Sequence, residues 1–331
     1  MILVGDVGGT KTYLALFEPG NLDTPQVQAT LFSPRYSSLE SLISEFLSYH
    51  KVEVAAAAFG IAGYVRDGHV TTPNLPWMVR IKNLENAIGC ENVALVNDVE
   101  ANAYGLELVS AEDLIDLNPE GIEADGNRAV ISPGTGLGQA GIFAMGRQHL
   151  PFACEGGHTD FAPRTELESQ LMLYLHDKFG RVSVERVVSG MGLSNIYDFL
   201  RDSGRGTAPH EIEFGEPRDK SRLISEMGQD GRSELCTLAL NMFVSLLGAE
   251  AGNLALKMMA LGGIYLGGGI PPKIIGKLKE GTFLESFLNK GRMRPLLEKI
   301  PVKVIMTDRT AMLGALVVAK GLLIEDRQKV H

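Results

Sequence analysis

Cysteine is nearly absent from this chain. Cys90, Cys154 and Cys236 are widely spaced, odd in number and never in a CxxC pair, which argues against a disulfide framework or a cysteine zinc site and points to a reduced compartment. There is no block of Lys or Arg, and the net charge is −9. Without clustered cations to neutralise phosphates, neither a nucleic-acid partner nor an anionic membrane surface is expected. The chain opens directly on an apolar strand, MILVG, without the basic and long apolar regions of a signal peptide, so a cytoplasmic setting is expected. The most apolar stretch, 238–271, is interrupted by Asn241, Glu250, Asn253 and Lys257 and by a glycine cluster. It reads as a buried helix followed by a strand, not as a membrane span. No GxxxxGK[ST] loop occurs, and no glycine fingerprint leads from a strand into a helix, which removes the Walker and dinucleotide-binding readings.

What the chain does have is a glycine-rich strand turn that occurs twice. Residues 2–18 read ILVGDVGGTKTYLALFE and residues 129–144 read AVISPGTGLGQAGIFA. Each is an apolar run, a tight turn of small residues with a threonine, and a second apolar run. Glycines let backbone approach a ligand closely, and successive exposed amides form an anion nest. One copy also fits an ordinary Gly-Gly hairpin. Two copies about 130 residues apart in a chain of 331 residues, long enough for roughly two domains, suggest two halves closing on one phosphate ester.

Strands alternate with helices along the chain, which gives an α/β class. Strands are expected at 2–5, 12–18, 54–63, 93–96, 129–132, 139–144, 264–270 and 302–306. Helices are expected at 38–50 with Ser37 or Ser38 as cap, from Asn97-Asp98 onward, at 165–180, 183–200, 235–259 and 311–323. The polar stretch 111–127 reads as a domain boundary, and 202–233 as surface loops and short helices.

The chemistry-bearing candidates each have a plainer alternative. Asp6, in the first turn, suits a hydrated magnesium ion bridging phosphates. Asn97-Asp98, at a strand-to-helix junction, offers either helix caps or a carboxylate that accepts a hydroxyl proton. Glu155-Gly156-Gly157-His158 is either a polar loop or a turn that aims a carboxylate and an imidazole at vicinal sugar hydroxyls. No second His or Cys lies at ligand spacing for a metal. Glu185 reads by default as an exposed helix glutamate after Ser183. Leu266-Gly267-Gly268-Gly269-Ile270 is a strand-to-helix loop or a flat bed for adenine.

Taken in order, DVGGT, ND, GTGLG, EGGHTDFAP (155–163), SVERVVSGMGLSNIY (183–197) and LGGGI resemble the bacterial glucokinases of the zinc-free group. The likeness runs over nearly the whole chain. The first motifs are shared with the hexokinase, actin and Hsp70 superfamily; the 155–163 and 183–197 segments are far more specific. The resemblance implies two ribonuclease-H-like (actin-like ATPase) domains flanking a deep cleft, with 1–110 and 301–331 forming a small domain and 111–300 a large one. It also implies a homodimer that phosphorylates glucose with ATP and Mg2+. By matching position, Asp98 becomes the general base. Asn97, Glu155, His158 and Glu185 become partners of the sugar hydroxyls, with Asn74 in TTPNLPW on the same side. Asp6, Val7, Gly8, Gly9, Thr10, Lys11, Thr12, Gly134, Thr135, Gly136 and Gly138 surround the phosphates and metal, and Gly267, Gly268 and Gly269 the adenosine. Lys11 departs from the family, which often has Asn there, and 201–233 matches poorly. The competing readings are a kinase for another hexose, amino sugar or donor, a sugar-sensing regulator without turnover, and an actin- or chaperone-like ATPase in which EGGH has no role.

Overall fold

Each glycine turn joins two antiparallel strands of a hairpin, and one five-strand order recurs in both sheets. The computed structural model describes residues 1–72, 75–146, 148–207 and 217–329. They divide into a first unit, Met1–Ala111 with Thr307–His331, and a second, Glu112–Met306.

In the first unit β1 (Ile2–Val7) pairs antiparallel with β2 (Lys11–Phe17), which pairs antiparallel with β3 (Val27–Phe32). β4 (Ala56–Ile61) lies parallel to β1. A two-stranded ribbon, β5 (His69–Thr71) and β6 (Met78–Arg80), precedes β7 (Val93–Asn97), which lies parallel to β4. The order is β3-β2-β1-β4-β7. The second unit has β8 (Leu114–Asp116), β9 (Arg128–Pro133), β10 (Leu137–Met145), β11 (Gln148–Cys154), β12 (Gly263–Leu266) and β13 (Val302–Ile305) in the order β11-β10-β9-β12-β13-β8. Its first five positions repeat the first sheet: three antiparallel strands, then two parallel ones. The fold is α/β with two ribonuclease-H-like units.

The helices follow from local signals. α1 (Leu39–His50) buries Leu39, Leu42, Ile43 and Phe46 at helical spacing, and Ser38 caps it in a reciprocal bond with Ser41. α2 (Ile81–Ile88) and α3 (Asp98–Gly105) follow in the first unit. α3 packs on the C-terminal helix, Thr310–Lys329, where Gly105 and Gly314 leave no room for a Cβ against Thr310 and Ala101 carbonyls. In the second unit α4 (Glu166–Phe179) packs on α5 (Gly190–Asp202), α5 and α6 (Pro217–Gln229) pack on α7 (Glu234–Met258), and α7 lies against β9 and β12 of the sheet. α7 is long and apolar enough to cross a membrane by length and composition, yet 78% of its most apolar 18 residues are buried inside the protein.

Several sequence expectations change. The helix expected over 183–200 is split into a single turn at Val184–Arg186 and α5, because Ser189 is extended and Gly192 packs on the Val187 carbonyl. The strand expected over 264–270 ends at Leu266, since Gly268 turns at φ +79°. α6, of 13 residues, occupies part of the stretch read as surface loops and short helices. The return to the first unit falls after Met306, not at 301: β13 pairs with β12 and β8, which ties Val302–Ile305 to the second unit.

Candidate functional site

The first unit gathers its candidates at one end of the sheet, where parallel β1, β4 and β7 all terminate. This is the end at which open α/β sheets bind ligands. The turn after β1 is braced from below. The Gly8 N–H donates to the Lys11 carbonyl at 3.0 Å, and the Ser33 hydroxyl donates to the Gly8 carbonyl at 2.8 Å. Thr12 is fully buried with its hydroxyl 2.9 Å from the Ser33 hydroxyl, so its side chain braces the turn from within. Gly8, Gly9 and Thr10 keep partial exposure and Lys11 is exposed.

Asn97 caps α3. Its side-chain oxygen accepts from the Val99 and Glu100 amides at 2.9 and 3.3 Å, and its amide donates to the Gly63 carbonyl at 3.0 Å. Both ends of that side chain are therefore engaged in the fold. Asp98 opens the helix and is half-buried, with Oδ1 accepting from the Val99 amide at 3.0 Å. Asp6, near the end of β1, is half-buried. Burial pushes its carboxyl up to about 7, and the negative charges of Asp98 and Asp308 add to the rise. Beside it is a cavity of about 370 Å³ lined by Asp6, Tyr13, Thr30, Asp308, Arg309 and Met312, among others.

Sequence reasoning passed over Asp308. A signal was there: MTD after the strand at 302–305 repeats the grammar of VND before α3, an acid where a strand gives way to a helix. Asp6 and Asp308 line one cavity, and the charges of Asp98 and Asp308 both act on the Asp6 carboxyl. Among the described residues no group of three Asp, Glu, His or Cys side chains is placed to hold a metal ion.

The second unit assembles the remaining motifs around its own turn. The Gly134 N–H donates to the Gly136 carbonyl at 2.9 Å, and the Gly190 N–H, at the start of α5, donates to the Gly134 carbonyl at 2.8 Å. The Gly267–Gly269 segment lies directly beneath. The Gly267 N–H donates to Ile131 at 2.9 Å, and a Cβ on Gly268 would meet the Pro133 carbonyl at 2.6 Å. Thr135, Gly268 and Gly269 are exposed.

Glu185 is not the exposed helix residue of the default reading. Its Oε2 accepts the Leu137 amide at 2.9 Å. The residues around it hold it there. The Ser189 hydroxyl donates to the Glu185 carbonyl at 2.7 Å and accepts from the Gly192 amide at 2.9 Å, while the Asn195 amide donates to the Arg186 carbonyl at 2.9 Å. The recurring small and polar residues of 183–197 are thus the frame for one carboxylate.

Glu155 and His158 flank a single helical turn, with their side chains 3.9 Å apart and both exposed. That turn is joined to the Glu185 segment. The Val184 amide donates to the Thr159 carbonyl at 2.9 Å, and Arg181 bonds both the His158 carbonyl and Asp160. Glu155, His158 and Glu185 are therefore brought into one neighbourhood. Asn74 lies outside the described residues.

A family model described as Glucokinase matches residues 3–322. The chain belongs to the glucokinase family. The glucokinase of Nostoc sp. (strain PCC 7120) is 38% identical over 340 residues, covering 97% of this chain and 99% of that one. The glucokinase of Photorhabdus laumondii is 32% identical over 314 residues, covering 95% of each. Among solved structures, the glucokinase of an Antarctic psychrotroph superposes with a TM-score of 0.83 at 29% identity, covering 97% of this chain and 98% of that one. Membership of the glucokinase family makes the chain an enzyme of the kinase class.

Proposed function

We propose that this chain transfers the γ-phosphoryl group of ATP to the 6-hydroxyl of D-glucose, releasing ADP and glucose 6-phosphate. The observation that carries the reading is the place of Asp98. It begins α3 at the ligand end of the first sheet, on the same edge as the braced turn at Gly8–Thr10 and the Asp6 carboxyl, in a chain of the glucokinase family. A carboxylate there accepts the proton of the 6-hydroxyl as its oxygen bonds to phosphorus.

Glu155, His158 and Glu185 hold the sugar hydroxyls, and the amides of both glycine turns face the phosphate oxygens. Asp6, with Asp308 beside it, would hold magnesium; when bound, that ion neutralises phosphate charge. The protein's own contribution is positioning and preorganised charge, which phosphoryl transfer needs more than covalent chemistry. Asn97 acts by fixing the α3 start and the Gly63 loop, and the Gly267–Gly269 bed takes the adenosine. On this reading the first unit supplies the base and one phosphate turn, and the second supplies the sugar loop and the other turn, closing on the substrates to exclude water. The family likeness also supports a cytoplasmic homodimer.

A coupled assay of ADP release with glucose, mannose, fructose and N-acetylglucosamine tests the proposal. Glucose should give the highest kcat/KM. No glucose-dependent ADP release would leave the sugar-sensor reading in its place, and calorimetry showing no glucose binding would leave a sugar-independent ATPase.

A further inference from the structure

A buried polar chain runs through the second unit and ends under the sugar turn. Gln139, on β10, is buried, and its Oε1 lies so close to Gly156 that a Cβ there would run into it. Its Nε2 donates to Glu250 Oε1 at 2.9 Å. Glu250, on α7, is buried too, and its Oε2 accepts from Asn253 Nδ2 at 2.9 Å. Asn253 Oδ1 in turn accepts from Lys290 Nζ at 2.6 Å, and the same ammonium donates to the Ala249 carbonyl at 2.9 Å.

The chemistry of each link fixes the direction of the next. An ammonium only donates, so Asn253 must turn its carbonyl oxygen to Lys290 and its amino group to Glu250. An ionised carboxylate only accepts, so Gln139 must turn its amino group to Glu250. That leaves the Gln139 carbonyl oxygen, and never its amino group, against Gly156. Burial draws the Lys290 ammonium below its ordinary value with Arg164 adding to the effect, while Glu250 opposes them.

We propose that Glu250, Asn253 and Lys290 are positioning residues for glucose recognition: they set the amide polarity of Gln139, and Gln139 sets the conformation of the Glu155–His158 turn. The turn leaves no room for a side chain at either glycine, since a Cβ on Gly157 would likewise strike the Leu137 carbonyl. The proposal rests on the sugar role given to that turn above.

Glu250→Gln tests it in the full-length protein. The change keeps the shape but removes the acceptor-only character, freeing Gln139 to flip. The expected result is a rise in KM for glucose of about tenfold, the scale of one hydrogen bond to a charged group, with kcat and KM for ATP changed little. The polarity-swapped pair Gln139→Glu/Glu250→Gln restores an acceptor against Gly156. An amide at position 250 then donates to the carboxylate at 139 and accepts from Asn253, so the pair should recover most of the glucose KM. An unchanged glucose KM in the single variant, an equal rise in both KM values, or a double variant no better than the single one would overturn the proposal. If the single variant does not fold, the double variant decides in the same way: recovery of fold and glucose KM supports the chain, and failure to recover overturns it.

The Gly156 and Gly157 amide resonances supply a readout independent of turnover. They should move in Glu250→Gln and return in the double variant, and resonances unmoved by Glu250→Gln would also overturn the proposal. A parent enzyme that releases no ADP on glucose would instead defeat the functional reading, with these resonances still reporting on the chain of polarity.

Discussion

Glu185 Oε2 accepts the backbone N–H of Leu137 at 2.9 Å, so the second glycine turn and the 183–197 segment form one construction. Leu137 is buried, and its amide has this carboxylate as its partner. Replacing Glu185 with Ala strands that amide. Loss of a charged partner costs about 1.5–3 kcal/mol, and thermal denaturation should show a clearly lowered Tm. Glu185→Gln keeps an acceptor for Leu137 and should hold Tm near that of the parent while weakening glucose binding in a calorimetric titration. Equal Tm losses in both variants would mean that the charge, and not the hydrogen bond, holds the turn.

The two hairpin turns were legible in the sequence because apolar runs flanking glycines have little alternative, and α1 and α7 because their apolar spacing agrees with the observed burial. β3 and β11 were not foreseen. Their residues alternate between partial and full exposure and resemble surface loop until a neighbouring strand supplies the pairing. The split between Val184–Arg186 and α5 was hidden for another reason. Ser183 and Ser189 are both good caps, and only the packing of Gly192 on Val187 chooses where the helix begins. At the site, the acids near glycines could be named, but the way Asn97 is tied into the fold could not. It depends on the Gly63 carbonyl, 34 residues away, taking up the Asn97 amide.

Asp98→Asn separates those two neighbours. The amide is nearly isosteric and retains an oxygen for the Val99 amide, so the start of α3 should survive and glucose should still bind. Loss of a general base costs roughly 10²–10⁴ in rate. Single-turnover kinetics should therefore show a large fall in the chemical step with little change in glucose affinity. A near-normal kcat would remove Asp98 from the base role. Asn97→Ala should give the opposite pattern: a stability loss of about 1 kcal/mol from the missing cap, visible in urea denaturation, with the extra cost of an unanswered Gly63 carbonyl.

Gly268 adopts φ +79°, and a Cβ there would meet the Pro133 carbonyl at 2.6 Å. Gly268→Ala is therefore both strained and crowded, and the backbone of the second glycine turn must yield to it. The left-handed conformation alone costs roughly 1–2 kcal/mol for a residue with a side chain. The expected outcome is a lowered Tm together with a raised KM for ATP, because the displaced segment is the one proposed to face the nucleotide. Gly269→Ala is the control. Nothing lies within 4 Å of a Cβ at that position, so its Tm should stay close to the parent value, and a loss equal to that of Gly268→Ala would point to a general effect of glycine replacement.

The Asp6 carboxyl gives the protein a pH dependence with a definite sign. Burial, then Asp98 and Asp308, raise it from 3.8 to about 7, while Tyr13 and Arg309 border the same cavity. In the unfolded chain the group titrates near 3.8. Between those values the folded protein binds a proton that the unfolded chain has released, so stability falls as pH rises through the window. The contribution is fully present below about pH 4 and lost above about pH 7. By linkage it is on the order of 4 kcal/mol. Metal-free protein should therefore lose stability against Asp6→Asn as pH is raised from 4 to 8, measured by urea denaturation at each pH. Asp308→Asn should shrink the loss by removing one of the two neighbouring charges. Magnesium should reduce it as well, because a cation held among these three acids favours their ionised forms. If the slope is the same with and without magnesium, the ion is not held beside Asp6, and the metal assignment must move elsewhere.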